Sequence, residues 1–362
     1  MRPQRNEPAP TGFRAEETAR KAYAPKRCAE QARKRRIAVK LIIQIPCYNE
    51  AQTLTVALDA LPRSIEGIDK IEYLIINDGS RDATVQVARD WGVTYIVNFK
   101  QNKGLAKGFM AGIDACLRNG ADLIVNTDAD NQYCGEDIQK LVTPILRGEA
   151  DIVIGERPID AIDHFSPLKK KLQHFGSYIV RRASRTEVAD APSGFRAYSR
   201  EAALSLNVIN NYTYTLETIV QAGNSRVPIR SVPVRTNPEL RQSRLMSSML
   251  GYVKRSIVTI LRSFMMYNPL KFFGVIGGVL FGAGVLLGIR FLVYLIATGS
   301  GAGHIQSLIL MSVLLLMGVL TWVVGMLADI TAANRKILED IQVRVRKLDY
   351  NEDLAARGAP RK

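Results

Sequence analysis

Residues 123–132 read Leu-Ile-Val-Asn-Thr-Asp-Ala-Asp-Asn-Gln, an apolar triplet followed at once by two aspartates one residue apart. Leu123-Ile124-Val125 has the makeup of a short strand buried on both faces. Asp128 and Asp130 then stand at the carboxyl end of that strand. Two carboxylates so placed repel each other unless something positive sits between or near them. A divalent metal meets that need, and oxygen ligands point to Mg²⁺ or Mn²⁺ shared between carboxylate, phosphate and water. An Asp-x-Asp alone is a common solvated turn, so the strand before it carries the inference.

Outward from this stretch, apolar β-type runs alternate with helical patterns over residues 37–235. Strands are expected at Val39 to Ile45, Ile71 to Ile76, Thr94 to Val97, Leu123 to Asn126, Ile152 to Ile154 and Val227 to Val234. Helices are expected around Ala51 to Leu61, Ala83 to Asp90, Leu105 to Arg118 and Tyr214 to Ala222. Strands separated by helices of this length form βαβ units, hence an α/β fold with a Rossmann-like, mostly parallel sheet. Ligands of such sheets bind beyond the carboxyl ends of the strands. Three polar loops meet there: Pro46-Cys47-Tyr48-Asn49-Glu50, Asn77-Asp78-Gly79-Ser80 and Asp128 to Gln132. Neither a GxGxxG fingerprint nor a GxxxxGK[ST] loop occurs, which argues against a nicotinamide enzyme or an NTPase.

The other end of the chain changes its class. Leu270 to Ala297 is apolar apart from Lys271 and Arg290, and Ile305 to Ala328 carries no charge. Each stretch is long enough to cross a bilayer. Lys254, Arg255, Arg262 and Lys271 precede the pair, Arg335, Lys336, Arg344, Arg346 and Lys347 follow it, and Thr298 to His304 between has no Lys or Arg. The positive-inside rule puts both termini and everything before Leu270 in the cytoplasm, with two spans in the cell membrane. Arg290 lies near the far end of the first span, within snorkelling reach of the interface.

The formal charge of +15 belongs to this picture. Residues 1–40 hold twelve Lys/Arg against four Glu, a net +8. Ser166 to Ser184 and Arg244 to Tyr267 combine apolar residues at helical spacing with basic neighbours. Both read as helices lying on an anionic membrane surface. The basic residues flank membrane elements and are not interleaved with aromatics, so nucleic acid is not expected as a partner. Cys28, Cys47, Cys116 and Cys134 form no CxxC pair, which supports neither a zinc site nor a disulfide framework.

The expected organisation is therefore a basic arm over 1–36, a catalytic domain over 37–242 with an interface helix near 166–184, and an amphipathic helix over 243–268. Two spans over 269–328 and a C-terminal helix and tail over 329–362 complete it. Two spans alone would pack poorly, and Ile337, Ile341 and Leu348 fall at helical spacing, so a homo-oligomer is a reasonable expectation.

Five motifs now stand in order: Pro46 to Glu50, Asn77-Asp78-Gly79-Ser80-Arg81-Asp82-Ala83-Thr84, Asn102-Lys103-Gly104-Leu105, Asp128 to Gln132 and Ser193-Gly194-Phe195-Arg196. This order resembles family 2 glycosyltransferases, in particular the branch of dolichyl-phosphate mannose synthase and polyprenyl-phosphate glycosyltransferases. The resemblance covers roughly Val39 to Leu270 and implies a GT-A fold. It implies a nucleotide-sugar donor (GDP-mannose or UDP-hexose) held by Pro46, Tyr48, Glu50, Asn77, Asp78, Lys103, Asp128, Ala129, Gln132 and Arg196. Asp128, Asp130 and Gln132 would position the metal. Arg157, Arg181, Arg241, Ser243 and Arg244 would meet the phosphate of a polyprenyl acceptor. The family's pair of aspartates before Gly-Ser is here Asn77-Asp78, so the identity of the base stays open. Arg241-Gln242-Ser243-Arg244 departs from the family's Gly-Glu-Ser-Lys and adds positive charge suited to phosphate.

Loss of a nucleoside diphosphate from the anomeric carbon puts negative charge on the β-phosphate, which a metal and fixed arginines stabilise. A lipid phosphate attacks as an anion, so a general base is dispensable; Glu217 is the candidate base, or it orients an acceptor-site arginine. In-line attack implies inversion. Transfer to another lipid or glycan is the alternative within the class, and a non-catalytic nucleotide-sugar-binding scaffold is the alternative outside it.

Overall fold

The computed structural model describes residues 38–158, 177–178, 180–182, 184, 186–208, 214–238, 258, 261–262, 264–299 and 305–356. The chain divides into Met1–Val39 and Lys40–Lys362, and among the described residues every helix and strand lies in the second unit. The expected basic arm, most of both interface helices, and Arg241, Ser243 and Arg244 lie outside the described residues.

In chain order the elements are β1 (Lys40–Cys47), α1 (Leu54–Asp59), β2 (Lys70–Asn77), α2 (Thr84–Trp91), β3 (Tyr95–Asn98), α3 (Leu105–Arg118), β4 (Leu123–Asn126) and α4 (Ile138–Leu146). They continue with β5 (Ile152–Glu156), β6 (Arg196–Ser199), α5 (Arg200–Ser205), α6 (Thr215–Asn224), β7 (Ile229–Pro233), α7 (Pro269–Thr298) and α8 (Ile305–Ala356). The strands form one sheet in the order β3-β2-β1-β4-β6-β5-β7. All neighbours run parallel except β6, which is antiparallel to both β4 and β5. This is the GT-A type of Rossmann-like sheet.

The central strands need no amphipathic alternation because helices cover both faces. Leu41, Ile42, Ile43 and Ile45 of β1 and Leu74, Ile75 and Ile76 of β2 are all fully buried. Gln44 of β1 is polar and fully buried, and its amide donates to Asn126 Oδ1 at 3.0 Å. Gly112 of α3 makes room for it, since a Cβ there would lie 2.4 Å from Gln44 Oε1.

Two elements differ from the sequence reading. Strand β6 was not expected: it is four residues long, and Arg196 at its start and Ser199 at its end mask the apolar pattern. Helix α8 runs without a break from Ile305 to Ala356, so the expected boundary at 328/329 is no structural break. The stretch from Met326 to Ala356 contains neither Gly nor Pro, so a change from apolar to charged surface leaves the helix intact.

Helices α7 and α8 are long and apolar enough to cross a membrane. They pack on each other through glycines. A Cβ on Gly277 would lie 2.9 Å from Gly318 O, and one on Gly318 would lie 2.9 Å from Phe281 N. Gly277 and Gly284, like Gly318 and Gly325, are seven residues apart, the repeat that keeps one face of a helix on its neighbour. The hairpin thus packs closely by itself, against the expectation that two spans would pack poorly. Their outer faces are apolar and open, Val275, Leu286 and Ile296 among them.

Candidate active site

Parallel pairing brings the ends of β1, β2, β3 and β4 to one edge. Cys47 stands beside Asn77, Asn77 beside Asn98, and Gln44 beside Asn126. The Asn126–Arg196 pair across the antiparallel ladder sets residues 193–195 over the same edge.

The loops after β1 and β2 are tied together by their own polar groups. Asn49, at φ 56°, receives a bond on its Oδ1 from Arg81 N at 2.8 Å, and its own N donates to Ser80 Oγ at 2.9 Å. Glu50 N donates to Thr84 Oγ1 at 2.8 Å, and Ala51 N to Asp82 Oδ2 at 3.1 Å. Burial works against the charge on Asp82, yet the Thr84 hydroxyl and the Ala51 and Thr84 amides hold its carboxyl below the usual range. Tyr48 is exposed at the rim, whereas Glu50 is buried, accepting from Thr53 Oγ1 at 2.9 Å.

Asp78 clamps the loop before α3. Its two oxygens accept from Lys103 N at 2.7 Å and Gly104 N at 2.9 Å. Gly79, at φ 72°, lets that loop approach, because a Cβ would lie 2.5 Å from Gln101 C. The Asn77 amide is engaged at both ends, donating to Asn98 Oδ1 at 2.6 Å and accepting from Ser80 N at 3.1 Å. Lys103 extends its ammonium over the Phe99 ring.

Asp128 and Asp130 follow β4 and are both half-buried, with Ala129 buried between them. Asp130 Oδ1 accepts from Gln132 N at 3.2 Å across Asn131, whose φ of 58° closes the turn. Asp128 turns its carboxylate to the bare α-carbon of Gly194: a Cβ there would lie 3.3 Å from both oxygens and 3.1 Å from Tyr214 Oη. A buried network holds Gly194 in place. Asn126 Nδ2 donates to Gly194 O at 2.9 Å and to Tyr214 Oη at 2.8 Å, and Gly194 N donates to Tyr133 Oη at 3.2 Å. The Tyr133 ring stacks on Phe195 and the Tyr214 ring on Phe109.

The charge of Asp128 is felt around this floor. Burial, with Glu50 and Asp128 behind it, pushes the Cys47 thiol well up. The Tyr133 phenol is pushed up to about 12, mainly by burial, with Arg157 opposing and Asp128 and Asp190 adding. Burial raises the Tyr214 phenol as well, with Asp128 adding to it. Among the described residues no three or more His, Cys, Asp or Glu are placed so that they alone could hold a metal ion. Two half-buried carboxylates beside an uncovered backbone suit a hard cation that takes its remaining ligands from diphosphate and water.

One expectation for the arginines needs correction, and a second gains a partner. Arg196 is fully buried and faces no phosphate. Its Nε donates to Ser193 O at 2.7 Å, Nη1 to Thr215 O at 2.9 Å and Thr218 Oγ1 at 2.8 Å, and Nη2 to Ala191 O at 2.7 Å. A guanidinium with that many carbonyls to satisfy is a strut beneath Gly194. Arg157 does reach the Asp128 neighbourhood, but the buried Asp190 holds it through Nε at 2.7 Å and Nη2 at 3.0 Å. Arg181 is helical and exposed. Glu217, on α6, is buried, and its charge reaches Tyr267 at the entry to α7. Sequence reading missed Asn126, Tyr133, Tyr214 and Asp190. Only Asn126, a polar residue closing a buried strand, carried a signal.

Comparisons with known proteins agree with this geometry. The family model described as glycosyl transferase family 2 matches residues 42–206. An uncharacterised protein of Methanocaldococcus jannaschii is 30% identical over 202 residues, covering 54% of this chain and 81% of that one. The UDP-N-acetylglucosamine–dolichyl-phosphate N-acetylglucosaminyltransferase of Methanococcus voltae is 28% identical over 239 residues, covering 60% of this chain and 94% of that one. A solved structure of glucosyl-3-phosphoglycerate synthase from Mycobacterium tuberculosis, with Mn²⁺, uridine diphosphate and phosphoglyceric acid, superposes with a TM-score of 0.50 at 20% identity. It covers 62% of this chain and 78% of that one, a likeness of fold.

Proposed function

Because this chain belongs to glycosyl transferase family 2, and is a glycosyltransferase, we propose that it transfers a sugar from a nucleotide-sugar donor to a polyprenyl phosphate. The transfer inverts the anomeric centre and takes place at the cytoplasmic face of a membrane crossed by α7 and α8. The observation that carries the reading is Asp128, half-buried at the end of β4 and held against the bare backbone of Gly194. The Methanococcus voltae relative is named for a dolichyl-phosphate acceptor, and the mycobacterial structure holds Mn²⁺ and uridine diphosphate, which supports the same pairing of ligands here.

In this reading Asp128 and Asp130, with Gln132, hold Mg²⁺ or Mn²⁺, which when bound stabilises the charge developing on the leaving diphosphate. Tyr48, Pro46 and Glu50 frame the nucleoside, with Asn77 and Asn98 at its back and Lys103 on the flank. Asp78 acts by fixing the loop that carries Lys103. Arg157, oriented by Asp190, offers its remaining N–H edge to phosphate, together with Arg181, Arg241, Ser243 and Arg244. Arg196 positions Gly194 and touches no substrate. The acceptor phosphate arrives as an anion, so no proton need be removed, and Glu217 is left the role of orienting an acceptor-site arginine.

Full-length protein in lipid nanodiscs, given labelled GDP-mannose, UDP-glucose or UDP-N-acetylglucosamine with polyprenyl phosphate and Mg²⁺ or Mn²⁺, should form a β-linked glycolipid from one donor. Asp128→Asn should lower the rate on the order of 100-fold, with an unchanged melting temperature. No product from any donor would overturn the proposal.

A further inference from the structure

Between Lys271 and Asp329 the sequence contains one residue among Lys, Arg, Asp and Glu, namely Arg290. It lies 21 positions after Pro269, the first residue of α7, which puts it about 30 Å along the helix from the catalytic domain. That matches the thickness of a bilayer's hydrocarbon core, so the guanidinium reaches the interface on the far side.

Arg290 does not stand on a bare helix face. With Leu287, Phe291 and Tyr294 of α7 and Ser307 of α8 it lines a cleft between the two helices. Positions 287, 290, 291 and 294 share one face, so Phe291 and Tyr294 line the same cleft as Arg290, with the hydroxyl residue Ser307 contributed by the neighbouring helix. A cation at this depth calls for a counter-charge or for water. Neither span nor the connecting loop contains a carboxylate that would serve. At a membrane interface the abundant oxyanion is a lipid phosphate, which a planar guanidinium can bind through two N–H groups.

We propose that this cleft binds the phosphate headgroup of a lipid in the leaflet opposite the catalytic domain. The site is separate from the acceptor site and rests on the reading that α7 and α8 span a bilayer. The aromatic walls cover the glycerol or first prenyl carbons, Arg290 pairs with the phosphate oxygens and Ser307 donates to a third. The phosphate of a glycerophospholipid and that of a polyprenyl phosphate share this chemistry.

Native mass spectrometry of the full chain tests it. The protein is released from nanodiscs of phosphatidylcholine mixed with either phosphatidylglycerol or polyprenyl phosphate, and the lipid retained is counted for wild type, Arg290→Lys, Arg290→Gln and Arg290→Leu. Loss of one charge-assisted pair should reduce retention about ten-fold in the Gln and Leu variants, with Lys between them and wild type. The mixture showing the larger difference identifies the source of the phosphate. Equal retention by all four proteins would overturn the site, leaving Arg290 as a snorkelling residue. Release of wild type from membranes by alkaline carbonate would overturn the membrane reading itself, which separates the two failures.

Discussion

Arg196 and Gly194 show how much a single side chain, or its absence, decides at this site. The four hydrogen bonds of Arg196 end on residues 191, 193, 215 and 218, which joins the stretch before β6 to the start of α6. Arg196→Ala should leave the buried carbonyls of Ala191 and Ser193 without their arginine donor and cost about 3 kcal/mol or more in chemical denaturation, so its lost activity will follow lost folded protein. Gly194→Ala should behave the opposite way. Its Cβ would crowd Tyr214 Oη as well as both Asp128 oxygens while deleting no hydrogen-bonding group, so a metal titration should show weakened activation with a smaller fall in melting temperature than Arg196→Ala. The Ser-Gly-Phe-Arg motif was legible in the sequence, but which of its members meets the site was not. Charge drew attention to Arg196, and burial reverses that assignment. Asp128 was legible because an apolar triplet leads straight into it.

At the scale of elements, β1, β2 and β4 were legible to within two residues because strands buried on both faces read as unbroken apolar runs. Strand β6 was hidden by its length and polar ends, and with it the antiparallel step that turns Gly194 towards Asp128. A second tie, also unread, joins the turn after the Asp-x-Asp loop to the chain leaving β7. Asp137 accepts from Arg235 N at 2.6 Å and Arg235 Nη2 at 2.8 Å, and Lys140 lies 3.0 Å away. Burial opposes its charge, but these partners hold its carboxyl below the ordinary 3.8. The folded-state pKa is thus depressed, and its stabilising contribution is full above about pH 4 and lost as pH falls through the folded value. Asp137→Asn should lower stability at pH 7, and the gap from wild type should narrow in acid; urea melts between pH 7 and pH 3 measure this.

The whole second unit is organised by α8, which leaves the hairpin with α7 and ends against the catalytic domain. Arg118 of α3 pairs with Asp349 at 2.8 Å and Asp353 at 2.6 Å, and Tyr350 Oη donates to Asp114 at 2.7 Å. Arg346 Nη1 donates to Leu204 O at 3.1 Å and Leu206 O at 2.8 Å, satisfying carbonyls at the end of α5. Tyr350 and Leu354 are buried in this contact. Nearer the hairpin, Arg335 bonds Tyr267 and pairs with Glu339 at 2.7 Å. None of this was legible beforehand, because partners so far apart along the chain leave no local pattern.

An unbroken helix of 52 residues is also a ruler with a phase. Each added residue turns everything beyond it by about 100° and shifts it by about 1.5 Å. One alanine inserted between Ala332 and Arg335 would swing Arg346 and Tyr350 off their partners, whereas seven would bring the same face round again about 10 Å further along. The seven-residue insertion should therefore retain more thermal stability than the single one. If the hairpin spans a bilayer, that insertion also changes the height at which the Asp128 cleft stands over the lipid, and turnover with long-chain acceptors should report the change.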